Sequence, residues 1–510
     1  MRLPALLLGP ALLLTACTSG GAASVSDTAS DAGSSARPDT PAAVLRVAEQ
    51  PASVLAGSSP AELATATSTA LYESAPLVLV AAENDAAAQE QAAGLAASTG
   101  APLLLLPVSG TVTVAVAVAD ELARLEPSTV LAYGQPVADW AEGLELDADV
   151  EQVDASAPDL PELDRPEPAG STVVLVPPGV DSAAAQATAR AAGAQVLPVA
   201  VTDPRADGAL GTQLAELAPD RVLGLGSAFG DDERFAYTVA AARTGVELPG
   251  GGQLILPGKR YIALYGHPGS KALGVLGEQG PQASVSRAAE LAGQYAAVRS
   301  DATFVPTFEI ITTVADSAAG ADGDYSSEST LEHLKPYIDA AAANGVYVVL
   351  DLQPGYTDFL TQAKLYEELL ALPNVGLALD PEWRLAPGQR HMRQIGRVSA
   401  AEVNATADWL AALVRERALP QKLLLLHQFK TFMLEDRASI VADRPELAVI
   451  TQMDGHGAPS TKLETWRAIL QDPPAGMTFG WKNFYDEDSP TLSPAATMAV
   501  EPTPVFVSYQ

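Results

Sequence analysis

The second half of the chain, from Leu254 to Gln510, alternates short apolar runs with longer amphipathic segments. The runs have the length and the β-branched and aromatic content of buried strands. Eight such strands are predicted: Tyr261–Tyr265, Phe304–Ile311, Val346–Asp351, Val375–Asp380, Lys422–His427, Leu447–Gln452, Met477–Trp481 and Val505–Tyr509. Helices are predicted between most of them: Ser286–Val298, Ser329–Ala343, Thr357–Leu370, Ala400–Arg417 and Ser460–Leu470. No helix is evident between the last two strands. A (β/α)8 barrel of TIM type takes about 250 residues, so this pattern predicts one over 254–510.

Polar side chains follow seven of these strands. In a parallel barrel the carboxyl ends of all strands meet at one mouth, where active sites lie. The sequence therefore predicts a site built from the strand ends. Its candidate residues are His267, Glu309, Asp351, Gln353, Asp380, Glu382, Trp383, Arg384, His427, Gln428, Asp454, His456, Trp481 and Lys482.

The pair Asp380-x-Glu382 is the sharpest signal in this set. Side chains at i and i+2 of a strand share a face about 6–7 Å apart, which suits two carboxyl groups acting on one glycosidic bond. The pair resembles the D-x-E arrangement of barrel glycosidases such as the lysozyme-like and chitinase-like families. That resemblance implies that Glu382 protonates the leaving oxygen and that Asp380 orients an N-acetyl group or water. Alternatively, the two acids cap a loop or pair with Arg384.

The other candidates have less defined roles. Asp351 and Asp454 are candidates for a nucleophile, a base for water or a sugar contact. Trp383 and Trp481 are predicted to form an aromatic floor, because sugar C–H faces pack on rings. The remaining polar residues are predicted to bind substrate: His267, Glu309, Gln353, Arg384, His427, Gln428, His456 and Lys482.

A metal site is an open alternative, in which the histidines at the strand ends join Asp351 and Asp454. No H-x-H or H-E-x-x-H spacing supports it. The prediction is therefore of a site without a metal or other cofactor.

The start of the chain has the pattern of an export signal. Arg2 precedes the apolar run Leu3–Leu14, and Leu14-Thr15-Ala16-Cys17 follows. This tetrad resembles the lipobox of bacterial lipoproteins, which implies that Cys17 is lipidated; an ordinary cleaved signal peptide is the alternative. Cys17 is the only cysteine of the chain, so an intrachain disulfide is excluded. Residues 18–45 are small and polar and are predicted to form a disordered tether.

Residues 46–250 repeat a pattern of apolar strand, alanine-rich helix and second strand, which predicts βαβ (Rossmann-like) modules on a parallel sheet. Two copies are visible, and Pro249–Gly252 separates them from the predicted barrel. The segments GAPLLLL at 100–106 and STVLAYGQPVADW at 128–140 carry a resemblance to the cell wall-binding repeat 2 family of Gram-positive surface proteins. The segments GAQVLPV and DRVLGLGSAFG repeat it. The resemblance implies binding to anionic wall polymers.

The formal charge of −32 excludes the basic surface that nucleic acids require. The sequence as a whole predicts a lipid-anchored protein on the outer face of the cell membrane, associated with the cell wall. Its predicted partners are the membrane, through Cys17, a wall glycan or anionic wall polymer, and a polysaccharide substrate. The leading function is hydrolysis of an envelope or extracellular glycan. A non-catalytic glycan- or wall-binding protein and a metal-dependent hydrolase of phosphate or amide bonds are the alternatives.

Overall fold

The structure is a computed structural model that describes residues 40–107, 112–153 and 163–510. The signal segment, Cys17 and most of the predicted tether lie outside these ranges. The strands of the N-terminal region are β1 (Val44–Leu45), β2 (Ala52–Leu55), β3 (Tyr72–Ser74), β4 (Leu77–Ala82), β5 (Leu103–Leu106), β6 (Thr129–Tyr133), β7 (Asp149–Val153), β8 (Thr172–Val176), β9 (Gln195–Pro198) and β10 (Arg221–Leu225). Its helices are α1 (Pro60–Leu71), α2 (Ala86–Thr99), α3 (Val112–Arg124), α4 (Gln135–Glu142), α5 (Ala183–Ala191), α6 (Gly208–Leu217) and α7 (Asp232–Thr244).

The C-terminal region contains the remaining elements. Its strands are β11 (Lys259–Gly266), β12 (Thr303–Ala315), β13 (Ser326–Glu328), β14 (Tyr347–Leu352), β15 (Val375–Leu379), β16 (Val398–Ser399), β17 (Lys422–Gln428), β18 (Leu434–Glu435), β19 (Leu447–Met453), β20 (Thr478–Asn483) and β21 (Phe506–Tyr509). Its helices are α8 (Pro281–Ala296), α9 (Leu331–Ala343), α10 (Phe359–Leu365), α11 (Glu367–Leu370), α12 (Ala400–Glu416), α13 (Pro459–Ile469) and α14 (Pro494–Met498).

Eight parallel strands of this region close into a barrel. Their order is β11-β12-β14-β15-β17-β19-β20-β21, and β21 pairs with β11 to complete the ring. The short β13 adds to β12 in the antiparallel sense. The predicted barrel is thus confirmed, and the eight strands are those read from the sequence. The expectation of no helix before the last strand is wrong, because α14 lies there. Its 5 residues are too few to give a helical period in the sequence.

The N-terminal region contains two four-stranded parallel sheets. One has the order β5-β4-β6-β7 and the other β2-β10-β8-β9. Read from the opposite edge, the second order is β9-β8-β10-β2, so β2 occupies the position that β7 has in the first sheet. The edge strand β2, which completes the second sheet, therefore precedes all four strands of the first sheet in the chain.

The folded part begins earlier than the tether prediction allows. Val44–Leu45 forms β1 and pairs with β3 in the antiparallel sense, and Ala42 bridges to Asp164. Residues 42–45 therefore belong to the folded region, because backbone pairing orders them and the side chains of Ala43 and Leu45 pack on the N-terminal core. None of the described helices combines the length and the apolar character needed to cross a lipid bilayer.

The N-terminal region contacts the end of the barrel opposite the mouth. The buried Arg205 donates a hydrogen bond of 2.8 Å to the carbonyl of Pro445, just before β19. The hydroxyl of Tyr237 donates one of 3.0 Å to the carbonyl of Leu419, just before β17. The connecting segment contributes Leu248 and Ile255 to the apolar core at this end. The carboxyl ends of the strands are left facing away from the N-terminal region.

Candidate active site

Strand alternation decides which side chains face the centre of the barrel. Successive side chains of a strand point to opposite faces, so one register position fixes the rest. Tyr265 on β11 is paired with Glu309 on β12, and His427 on β17 is paired with Gln452 on β19. Asp351 is the fifth residue of β14 and is fully buried. These polar side chains therefore come together in the upper layer of the barrel interior.

A cavity of about 420 Å³ opens above this layer. Seven of the sequence-predicted residues line it: Gln353, Asp380, Glu382, Trp383, Asp454, His456 and Lys482. The lining also includes Tyr265, Phe429, Lys430 and Phe484. The cavity joins carboxyl groups, amines and aromatic rings, which is the composition expected of a site for a polar organic ligand.

His427 is at the centre of the buried polar layer. Its Nδ1 lies 3.0 Å from Oδ2 of Asp454, and its Nε2 lies 2.8 Å from Oε1 of Glu309 and 3.6 Å from Oδ1 of Asp351. Burial by itself lowers the pKa of His427, but Asp351, Asp454 and Glu309 outweigh that effect and raise the pKa well above its usual value. The imidazole is therefore held as a cation among three carboxyl groups.

The acids of the mouth are shifted towards their neutral forms. Burial raises the pKa of Glu382 to about 7, and the charge of Asp454 adds to the rise while Lys482 opposes it. Burial likewise raises the pKa of Asp351 to about 6, against the opposing charge of His427. The pKa of Asp380 is raised well above its usual value by burial, again opposed by His427. Groups that exchange protons near neutral pH thus share one cavity, as general acid–base catalysis requires.

Asp380 and Glu382 are arranged by a turn that follows β15. The carboxylate of Asp380 accepts a hydrogen bond of 3.1 Å from the backbone N–H of Glu382 and caps the short 3-10 helix Pro381–Trp383. Asp380 therefore does act as a cap, as the alternative prediction held. Both acids nevertheless line the cavity. The ring of Trp383 also lines it and contacts the ring of His391 at a centroid distance of 5.4 Å.

Two predicted ligand contacts are wrong because their side chains face outwards. Lys482 points into the cavity, so the preceding Trp481 points to the helix layer, where it is fully buried against Trp466. In the same way His427 points inwards and Gln428 outwards. The amide of Gln428 is buried and donates to the carbonyl of Lys430 at 3.2 Å. Neither side chain lines the cavity that the described residues form.

His267 and Arg384 also lie outside the cavity lining. The ring of His267 stacks on His333 at 5.5 Å, and its Nε2 lies 3.1 Å from the hydroxyl of Ser329. The guanidinium of Arg384 pairs with Glu402 at 2.9 Å. The position of each residue directly after a strand predicted a ligand contact, but their own partners hold them in the loop structure instead.

Tyr265 is the main functional candidate that the sequence does not reveal. Its hydroxyl donates to Oδ2 of Asp351 at 2.9 Å and accepts from the amide of Gln353 at 3.3 Å. The ammonium of Lys482 lies 3.3 Å from the centroid of its ring, which is a cation–π contact. An aromatic residue within an apolar strand is typical of a core, so only its three-dimensional surroundings identify it.

Asp380, His427 and Asp454 place one ligand atom each within 4.8 Å of one another, so they could hold a metal ion.

No model of a known protein family matches the chain, and no curated protein matches it. The site must therefore be interpreted from its own geometry.

Proposed function

We propose that the barrel hydrolyses a glycosidic bond of an envelope or extracellular polysaccharide, with Glu382 as the general acid. The observation that carries this proposal is the position of Glu382 in an open cavity with a pKa raised to about 7. A carboxyl group that stays protonated near neutral pH can donate its proton to a leaving oxygen. Retaining and inverting glycosidases both need one such acid beside a second, ionised carboxylate.

Asp380, Asp351 and Asp454 supply the other carboxyl groups of the proposed mechanism. Asp380 is fixed by its bond to the Glu382 backbone and is assigned to orient the substrate or water. Asp454, at the cavity wall, and the deeper Asp351 remain the candidates for nucleophile or base. Gln353, Trp383, His456 and Lys482 line the same cavity and are assigned to substrate binding. The ring of Trp383 offers an apolar face for a sugar.

The Glu382→Gln variant tests the assignment. Removing a general acid lowers the rate about 10²–10⁴-fold. The rate at which reducing sugar is released from purified wall polysaccharide should therefore decrease by a factor in that range. Binding of the same polysaccharide should persist, because the amide keeps the shape of the side chain. Glu435→Gln is the matched control, since Glu435 is exposed and pairs with Arg397 away from the cavity. Cleavage at the wild-type rate in Glu382→Gln would remove the acid assignment.

The place of action proposed for this protein is the outer face of the cell membrane. The lipobox-like tetrad at Cys17 supports a lipid anchor, and the repeat-like N-terminal region supports contact with the wall. We assign that region to two Rossmann-like modules of the cell wall-binding repeat 2 type. When lysates of expressing cells are separated into detergent-rich and aqueous phases, the wild type should be found in the detergent-rich phase and the Cys17→Ala variant in the aqueous phase. The released protein should still sediment with purified cell walls, and failure to do so would count against wall binding.

A metal-dependent hydrolase is the second candidate function. It is favoured by the grouping of Asp380, His427 and Asp454 within 4.8 Å. Glycan cleavage that stops in chelator and returns with added metal would favour it over the metal-free mechanism. A chain that binds glycan but cleaves none with or without metal would support the non-catalytic alternative.

A further inference from the structure

Three strand ends bring together a donor set with the composition of a metal site. Asp380 follows β15, His427 belongs to β17 and Asp454 follows β19. All three are buried, and their ligand atoms lie within 4.8 Å of one another. Side chains on adjacent strands of a closed barrel are held more firmly than side chains on loops, which suits a site that must fix a ligand geometry.

The spacing of His427 and Asp454 fits two ligands of one ion, which would replace the proton that Nδ1 shares with Asp454 when no metal is bound. Nδ1 of the ring lies 3.0 Å from Oδ2 of Asp454. Metal ligands about 2.0–2.2 Å from a common ion are separated by roughly 3–3.5 Å at the usual bond angles. The opposite nitrogen, Nε2, faces Glu309 at 2.8 Å. A carboxylate behind a histidine is the arrangement that orients an imidazole towards a metal.

Unpartnered carboxylate oxygens are a second, independent observation. Oε2 of Glu309, Oδ1 of Asp351 and Oδ1 of Asp454 have no hydrogen-bond partner among the described residues. Glu309 and Asp351 are fully buried, and Asp454 is only 8% exposed. A buried carboxylate oxygen without a partner is costly. With Asp380, four acids thus surround the single imidazole of His427, and a further cation would compensate them.

We propose that Asp380, His427 and Asp454 bind one divalent metal ion of the Mn²⁺–Zn²⁺ class at the mouth of the barrel. Two carboxylates with one imidazole favour these ions, because Ca²⁺ and Mg²⁺ prefer sets made of oxygen alone. Glu309 is the positioning residue that orients the imidazole. The ion reaches its ligands through the cavity, which Asp380 and Asp454 line beside Glu382. This inference goes beyond the proposed hydrolysis and does not require it.

Direct metal titration tests the site. The full chain is treated with chelator, dialysed and titrated with Mn²⁺ by electron paramagnetic resonance and with Zn²⁺ by calorimetry. We expect about one equivalent to bind, and Asp454→Asn and His427→Gln to weaken binding more than about tenfold. Asp322→Asn is the matched control, because Asp322 belongs to a second acidic group with Asp324 and Glu328. Full binding in both site variants, or its loss in Asp322→Asn alone, overturns the assignment.

Thermal melting keeps the test decisive even where a variant folds poorly. A ligand that binds only the folded state raises the melting temperature, so Mn²⁺ or Zn²⁺ should raise that of the chelator-treated wild type. Absence of both titratable binding and a melting shift in the wild type would refute the metal site without any variant. If metal binds but no glycan is cleaved, the proposed hydrolysis fails and the metal site stands.

Discussion

The hydroxyl of Tyr265 on β11 donates a hydrogen bond of 2.9 Å to Oδ2 of Asp351 on β14, inside the closed barrel. Both residues are buried, so no bulk water can replace this bond. The other oxygen of Asp351 has no hydrogen-bond partner in the described part of the chain. His427 and Lys482 stabilise the ionised form of Asp351 by their charges, and the hydroxyl of Tyr265 adds a direct hydrogen bond to it.

The Tyr265→Phe variant should lose stability in a pH-dependent way. A hydrogen bond to a charged group contributes about 1.5–3 kcal/mol, and the pKa of Asp351 lies at about 6. The free energy of unfolding, measured in urea on metal-free protein, should therefore fall by about 1.5–3 kcal/mol at pH 8. The loss should be smaller at pH 5, where Asp351 is protonated. An equal loss at both pH values would show that the hydroxyl does not act on the ionised carboxylate.

Glu382 should make the protein less stable as the pH rises. Its pKa is raised from the usual value of 4.5 to about 7, so the folded state holds a proton that the unfolded state releases. That contribution is complete below about pH 4.5 and is lost as the pH rises through about 7.

The Glu382→Gln variant stays neutral and should gain stability relative to the wild type between pH 5 and pH 8. Because one pKa unit corresponds to about 1.4 kcal/mol, we expect a relative gain of roughly 1–3 kcal/mol in urea unfolding. Glu435→Gln, at an exposed site, should show no such trend. A flat difference between Glu382→Gln and the wild type would contradict the raised pKa.

The acids at the mouth were predictable because a charged residue is conspicuous after an apolar run. Asp380 and Asp454 each end such a run, and both line the cavity. Which of two neighbouring side chains points into the barrel was not predictable. Strands of a parallel barrel are buried on both faces, so their sequence does not alternate. Lys482 and Trp481 are adjacent, and only the formed barrel shows that the lysine faces inwards.

The strand that completes the second N-terminal sheet was also beyond sequence reasoning. β2 pairs with β10, for example Ala52 with Val222. Two short apolar segments so far apart in the chain carry no local signal of their pairing, whereas the strand–helix–strand units within each sheet do. The periodicity of a sequence thus predicts elements and local units, but not which distant strand fills an edge.

Gly480 should be required by the packing of the barrel interior. A Cβ at this position would lie 3.0 Å from the carbonyl oxygen of Phe506 and still closer to the amide oxygen of Gln452. Gly480→Ala should therefore lower the free energy of unfolding by about 1–3 kcal/mol, as overpacking does. Gly293→Ala is the matched control in α8, where a Cβ would meet nothing within 4 Å. It should raise stability by about 0.5–1 kcal/mol. Similar losses in both variants would mean that packing is not the cause.

Lys482 should set the upper pH limit of glycan cleavage. Its positive charge opposes the rise in the pKa of Glu382, so Lys482→Met should raise that pKa further and keep the acid protonated to higher pH. The falling limb of kcat/KM should move to higher pH, while the rate below the limb reports separately on substrate binding. Lys430→Met is the matched control, because Lys430 lines the same cavity but is not among the groups that shift Glu382. If the falling limb moves equally in both variants, or in neither, Lys482 does not control the pKa of Glu382.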